Sequence, residues 1–71
     1  MPEVTIEIGG RHFEVACQDG EELFLRSAEK LLNDEAIVLQ EQIGHMPEPR
    51  MLLMSALMLA DKTAALQEKL T

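Results

Sequence analysis

The sequence predicts an α+β fold in which an N-terminal β-hairpin packs on two helices, and the second helix continues into a dimeric coiled coil. Three observations support this fold class. Apolar and polar residues alternate on both sides of Gly9-Gly10, which is the pattern of half-buried strands. Apolar residues then follow a helical spacing as far as Ile43. A second helical pattern runs from Pro49 to the end of the chain.

The hairpin is predicted from the alternation and from the glycine pair, which supplies the positive φ angles of a tight two-residue turn. If Ile8 pairs with Arg11, both apolar rows fall on one face, which packs on a helix. Cys17 then lies on the apolar face and is expected to be a buried structural residue. His12, the candidate base for a nucleophilic cysteine, has the opposite parity and points to the other face of the sheet. The apolar rows are Val4, Ile6 and Ile8 in the first strand, and Phe13, Val15 and Cys17 in the second.

The first helix is predicted to run from Gly20 to Ile43, with Gly44 following its C-terminal end. Asp19 is placed to cap its first turn, and Glu22 is placed to reach back in a capping box. Its clearest apolar row is Leu25, Ala28, Leu32, Ala36, Leu39 and Ile43, widened by Phe24, Leu31 and Val38.

The second helix is predicted to begin at Pro49, and its segment from Met51 to Ala60 is apolar except for Ser55. A surface helix of a small domain normally carries one apolar stripe, so we expect this helix to contact a second chain as well. A heptad seam for that contact is formed by Leu52, Ala56, Leu59, Thr63, Leu66 and Leu70. A second row, expected to pack on the hairpin and first helix, is formed by Leu53, Leu57, Ala60 and Ala64.

These patterns divide the chain at the start of the second helix. We expect residues 1–50 to form a hairpin and first-helix head domain. Residues 51–71 are expected to begin a long dimerisation helix, and the seam is still in register at Leu70, so we expect the coiled coil to be truncated in this chain.

Composition and charge exclude several classes of function. The net charge is -7 and the chain has only six Lys and Arg residues, which argues against nucleic acid and anionic membranes as partners. The N-terminus has no secretory signal pattern, and the single cysteine cannot form an internal disulfide, so we expect a cytoplasmic protein. Neither a catalytic constellation nor a convergent set of metal ligands is present, so we expect no enzymatic activity, no cofactor and no metal.

The motif I-x-G-R-x-x-x-V-x-C from Ile8 to Cys17 and the block ALMLAD from Ala56 to Asp61 are the most specific parts of a resemblance to the ZapA family, which covers the chain as far as about Ala65. ZapA proteins are small bacterial proteins associated with the Z-ring that FtsZ forms. The resemblance implies a non-enzymatic protein at the mid-cell division site that binds FtsZ filaments, promotes their bundling and stabilises the ring. It also implies a homodimer, and an antiparallel tetramer when the full coiled coil is present.

The resemblance also implies which residues contact FtsZ. The arginine after the turn glycine corresponds to Arg11, and the charged positions that open the second helix fall at Glu48 and Arg50. A second basic position of the family corresponds to Glu14 here, which is a departure. Because Arg11 follows the hairpin turn, we expect its guanidinium to project at the edge of the domain and to be solvated.

A dimeric DNA regulator or antitoxin of the ribbon-helix-helix type is the alternative, since that fold also combines a short β element with two helices. It pairs strands between chains and reads the major groove with them. Glu3, Glu7 and Glu14 on the polar strand face would repel phosphate, and Gly9-Gly10 predicts a hairpin within one chain.

Overall fold

The computed structural model describes residues 2–70, with side chains described as far as Glu68. The elements are β1 (Glu3–Ile8), β2 (Arg11–Ala16), α1 (Glu22–Ile43) and α2 (Glu48–Leu70). The two strands form one antiparallel sheet, and the two helices follow it. The predicted α+β fold, a β-hairpin followed by two helices, is confirmed.

The hairpin has the predicted register, with Ile8 opposite Arg11. Gly9 and Gly10 have φ angles of 61° and 82°, which are the positive values that a tight turn between twisted strands requires. Ile8 is buried and the other apolar residues of the two rows are half-buried, so one face of the hairpin covers α1. The strands pair within the chain, which is not the arrangement of a ribbon-helix-helix protein.

The start of α1 differs from the prediction. The helix begins at Glu22 rather than Gly20, and Glu21, not Asp19, occupies the N-cap position without a side-chain cap hydrogen bond. Gly20 has a φ of 87°, a left-handed conformation that cannot continue into a right-handed helix. The Glu22 carboxylate still reaches back, and it accepts a hydrogen bond of 3.1 Å from the Gly20 N–H.

The C-terminal end of α1 is as predicted. Gly44 follows Ile43 with a φ of 92°, and its N–H donates to the Gln40 carbonyl at 2.8 Å, which closes the last turn. The next helix begins at Glu48, one residue before the predicted Pro49. Pro49 therefore lies in the first turn, where its missing N–H removes no intrahelical hydrogen bond.

The hydrophobic core lies where the hairpin, α1 and the start of α2 meet. Met51 and Ser55 are the buried residues of α2, and Met58 packs beside the core. Near the other end of this interface Glu35 is 4% exposed, and its carboxylate lies 2.6 Å from the Lys62 ammonium. The buried apolar residues of the core are Ile8, Ala36, Leu39, Met46 and Met51.

The side of α2 that faces the head differs from the prediction. The second row was expected to pack on the head, but Leu53 and Leu57 are 61% and 59% exposed, and Ala60 and Ala64 are also exposed. At about 100° per residue, this row lies nearly opposite the side that carries Met51. The packed face of α2 is therefore the one that contains Ser55, whose small side chain lets the two helices approach.

The predicted apolar row of α1 is only partly covered. Ala36 and Leu39 are buried and Leu25 and Leu32 are half-buried, whereas Ala28 and Ile43 are exposed. The residues expected to widen this stripe are also exposed in the single chain: Phe24, Leu31 and Val38.

Candidate interaction surface

The hairpin turn is fixed to α1 by hydrogen bonds from both sides of Gly9. Its N–H donates to Asn33 Oδ1 at 2.8 Å, and its carbonyl accepts from Gln40 Nε2 at 2.9 Å. Gly9 also lies directly on the core, since a Cβ built there would be 3.1 Å from Met51 Sδ. The turn that carries Arg11 is therefore held at one position on the head.

Strand β1 has its own attachment to α1, nearer the N-terminal end of that helix. The Glu7 N–H donates to Glu29 Oε2 at 2.7 Å, and Arg26 donates to Glu29 Oε1 and to the Thr5 carbonyl, each at 2.9 Å. The backbone hydrogen bond from Glu7, and then Arg26, lower the pKa of Glu29 because both stabilise its charged form.

Arg11 is half-buried, and its Nη2 donates to the Met46 carbonyl at 2.7 Å. The expectation that its guanidinium is fully solvated is therefore wrong. Met46 lies in the connection between α1 and α2, where no helix provides a donor for its carbonyl, and the arginine supplies one. A guanidinium has five N–H donors, so the others stay available to a partner.

Glu48 and Arg50 are exposed at the start of α2, where Glu48 lies at the helix end that favours negative charge. Arg50 lines a groove of about 330 Å³ between the end of α1 and the start of α2. Met46 is part of the same groove and accepts the hydrogen bond from Arg11, so the structure brings Arg11 and Arg50 to the same connection. The groove, called here the connection groove, is lined by Ile43, His45, Met46, Pro47, Arg50 and Met54.

The two arginines at this connection differ from the other described cations. Arg26, Lys30 and Lys62 each form an ion pair with a carboxylate of α1. Among the side chains described, which leave out Lys69, Arg11 and Arg50 have no carboxylate partner. In a chain of net charge -7, the uncompensated positive charge of the described head is thus concentrated at the connection groove.

Comparison with known protein families identifies the chain. The family model described as cell division protein ZapA matches residues 4–71. The chain belongs to the ZapA family. ZapA proteins are non-enzymatic cell division proteins that are associated with the Z-ring and interact with FtsZ. No curated protein and no solved structure gives a significant match.

The ZapA family assignment does not decide how this chain pairs, but the predicted seam lies on an open side of α2. Leu52 and Leu59 are half-buried, while Ala56, Thr63 and Leu66 are exposed. The Leu70 side chain lies outside the described residues. The Thr63 hydroxyl donates to the Leu59 carbonyl at 3.1 Å, which satisfies this polar group within the helix. The seam as a dimer interface stays a prediction.

Two general features of this ZapA-family chain concern its described residues. Neither α1 nor α2 is long and apolar enough to cross a membrane. Within residues 2–70, no group of three or more His, Cys, Asp and Glu residues is arranged to hold a metal ion.

Sequence reasoning missed several residues that build this surface in the ZapA-family chain. Asn33 and Gln40 fix the hairpin turn, and neither has a motif that marks it, because their partners are backbone atoms of a distant segment. Met46 and Met54 were not predicted to line a groove. The signal that could have found Met46 is the segment with Pro47 and Pro49, which separates the two helices.

Cys17 lies at the end of the hairpin and has the predicted parity with Phe13 and Val15, but it is half-buried rather than buried. Burial raises the pKa of its thiol, and the nearby carboxylates of Glu22, Asp19 and Glu21 raise it further. His12 lies on the other face of the sheet, where its Nε2 is 2.9 Å from Glu7 Oε1. Among the described residues, the structure records neither a base nor a positive charge that activates this thiol.

We expect Cys17 to react slowly with iodoacetamide in the native state, since the raised pKa reduces the thiolate fraction at any pH below it. The rate should increase on unfolding in urea, where burial and the clustered carboxylates are lost. Mass spectrometry over time at pH 8 measures both rates, and a native rate equal to the unfolded rate would contradict the observed burial.

Proposed function

We propose that this chain is an adaptor that binds FtsZ filaments in the cytoplasm at mid-cell, promotes their bundling and stabilises the Z-ring. Membership of the ZapA family supports this function. The observation on the molecule that supports it best is the pair of arginines without a carboxylate partner, Arg11 and Arg50, on one side of a rigid head. We propose Arg11, Glu48 and Arg50 as FtsZ contacts.

Electrostatics explains why such a pair matters. The chain has a net charge of -7, and FtsZ is expected to be acidic, so the two proteins repel at long range. A local cation placed against a carboxylate of the partner offsets this repulsion and fixes the register of docking. The attachment of Gly9 to Asn33 and Gln40 holds Arg11 in place, so little conformational entropy is lost on binding.

Bundling requires more than one head. We propose that two chains pair through the α2 seam of Leu52, Ala56, Leu59, Thr63, Leu66 and Leu70, and that a longer coiled coil pairs two such dimers. Heads joined in this way bind one filament or link two, and the second contact gains from a raised effective concentration.

Charge reversal at Arg11 tests the FtsZ contact. We expect Arg11→Glu to lower the amount of protein that co-sediments with FtsZ polymers, because an attraction is replaced by a repulsion. The effect should exceed that of Arg11→Ala and decrease with added salt, since ions screen exposed charges beyond about 10 Å at 0.1 M. The variant also loses the hydrogen bond to Met46, at a cost of about 0.5–1.5 kcal/mol of stability.

Arg26→Glu is the matched control. Arg26 also donates one hydrogen bond to a backbone carbonyl, that of Thr5, and it is exposed on the head. The control has the same change of charge and lies away from the connection groove. Because Arg26 also forms an ion pair with Glu29, the control should lose at least as much stability, so any loss of binding through destabilisation would appear in it as well. If Arg11→Glu co-sediments as well as the parent does, or the two variants lose binding equally, Arg11 is not a specific contact.

A further inference from the structure

The connection groove has an apolar lining with no apolar group of the described chain filling it. Met46 is buried at its base and Met54 is half-buried, while Ile43 at its edge is 57% exposed. Its volume of about 330 Å³ is close to the lower limit of roughly 300 Å³ for small-ligand pockets. Methionine side chains adapt to partners of different shape, so this lining suits an inserted side chain.

The charges at the groove indicate the character of its occupant. Arg50 and His45 line it, and Arg11 is attached to Met46 behind it. The negative group at the start of α2 is Glu48, which lies in the sequence between the lining residues Pro47 and Arg50 but is not itself part of the lining. A purely apolar occupant would leave Arg50 without a charged partner, and a purely acidic one would leave Ile43 and the half-buried Met54 in contact with water.

We propose that the connection groove takes one large apolar side chain from an acidic peptide segment of the filament partner. Arg50, which lines the groove, pairs with a carboxylate next to that apolar residue, and Arg11, joined to the groove through Met46, pairs with a second carboxylate farther along the segment. The proposal rests on the proposed function, and it adds the chemistry of the segment that is recognised. Apolar burial then supplies affinity, while the two arginines select an acidic sequence and set its direction.

Removal of the apolar wall tests the proposal with the partner itself. We expect Ile43→Ser to reduce co-sedimentation with FtsZ polymers at least severalfold, and to do so equally at low and high salt, because no charge changes. The matched control is Leu23→Ser, which removes a similar apolar group from the other end of α1, where Leu23 is 81% exposed. Circular dichroism checks that both variants keep their helices.

A peptide titration tests the groove independently of FtsZ. The probe is a synthetic acidic peptide, EDELDEE, compared with EDESDEE, in which serine replaces the leucine. We expect the leucine peptide to shift the methyl NMR signals of Met46 and Met54, and the serine peptide to shift them much less. Met58, outside the groove lining, serves as the internal control.

The outcomes separate the two proposals. If the parent does not co-sediment with FtsZ, the proposed function fails, and the peptide titration still decides whether the groove binds acidic apolar segments. If the parent co-sediments but Ile43→Ser matches Leu23→Ser, or the two peptides act alike, the groove proposal is overturned and the adaptor function stands. Shifts of Met46 and Met54 with protein concentration alone would also overturn it, because a second copy would then fill the groove.

Discussion

Gly9→Ala should lower the free energy of unfolding by about 2–5 kcal/mol, a large share of the stability of a small domain. Gly9 has a φ of 61°, and an L-residue in this left-handed conformation costs about 1–2 kcal/mol. The added Cβ would lie 2.9 Å from Gln40 Nε2 and 3.1 Å from Met51 Sδ. Overpacking of this kind costs about 1–3 kcal/mol more, because the nearby Met51 side chain is fully buried.

Gly10→Ala is the control for the conformational part of this cost. Gly10 has a φ of 82°, but a Cβ there meets no atom within 4 Å. Gly10→Ala should therefore lower the free energy of unfolding by only about 1–2 kcal/mol, because the packing contribution is absent. Urea unfolding at one fixed protein concentration measures both variants, since the stability of an oligomer depends on concentration. If Gly9→Ala and Gly10→Ala lower the free energy of unfolding equally, the contact with Met51 does not constrain the turn.

Leu59→Glu should abolish the proposed dimer. Leu59 is the central leucine of the seam, and pairing would place two carboxylates against each other in an apolar interface. The cost is expected to be several kcal/mol, since buried charges without a partner are strongly destabilising. Multi-angle light scattering should show the mass of a monomer, about half the mass of the parent, while circular dichroism still shows the helices of the head.

Gln67→Glu is the control for this variant, because it adds the same charge to an exposed position of α2 outside the seam. It should stay dimeric. If Leu59→Glu also stays dimeric with an unchanged melting temperature, the seam is not the interface. The exposed rows of Phe24, Leu31 and Val38 on α1, or of Leu53 and Leu57 on α2, are then the surfaces to test.

Local signals in the sequence predicted the parts of the fold that local chemistry determines. The hairpin register follows from parity around two glycines, and the end of α1 follows from Gly44. The predicted start of α1 was wrong, because the capping pattern at Asp19 does not reveal that Gly20 adopts a positive φ angle. That conformation is a property of the loop as a whole.

The phase of α2 was not predictable from hydrophobicity. A segment that is apolar all around has no preferred face, and its one polar residue, Ser55, is buried against the head rather than exposed. The contacts of the candidate site could not be predicted from the sequence either. Arg11 was identified through a resemblance, but its hydrogen bond to Met46 joins residues 35 positions apart and depends on the assembled head.

The burial of Met51 and Ser55, together with the ion pair between Glu35 and Lys62, sets the rotational orientation of α2 on the head. Each residue added to the helix beyond Lys62 moves the following segment by about 1.5 Å and turns it by about 100°. An insertion of seven residues would lengthen the helix by about 10 Å and leave its orientation within about 20°, whereas an insertion of two would reverse it. In any assembly built on α2, the separation of the heads and the direction they face therefore change together.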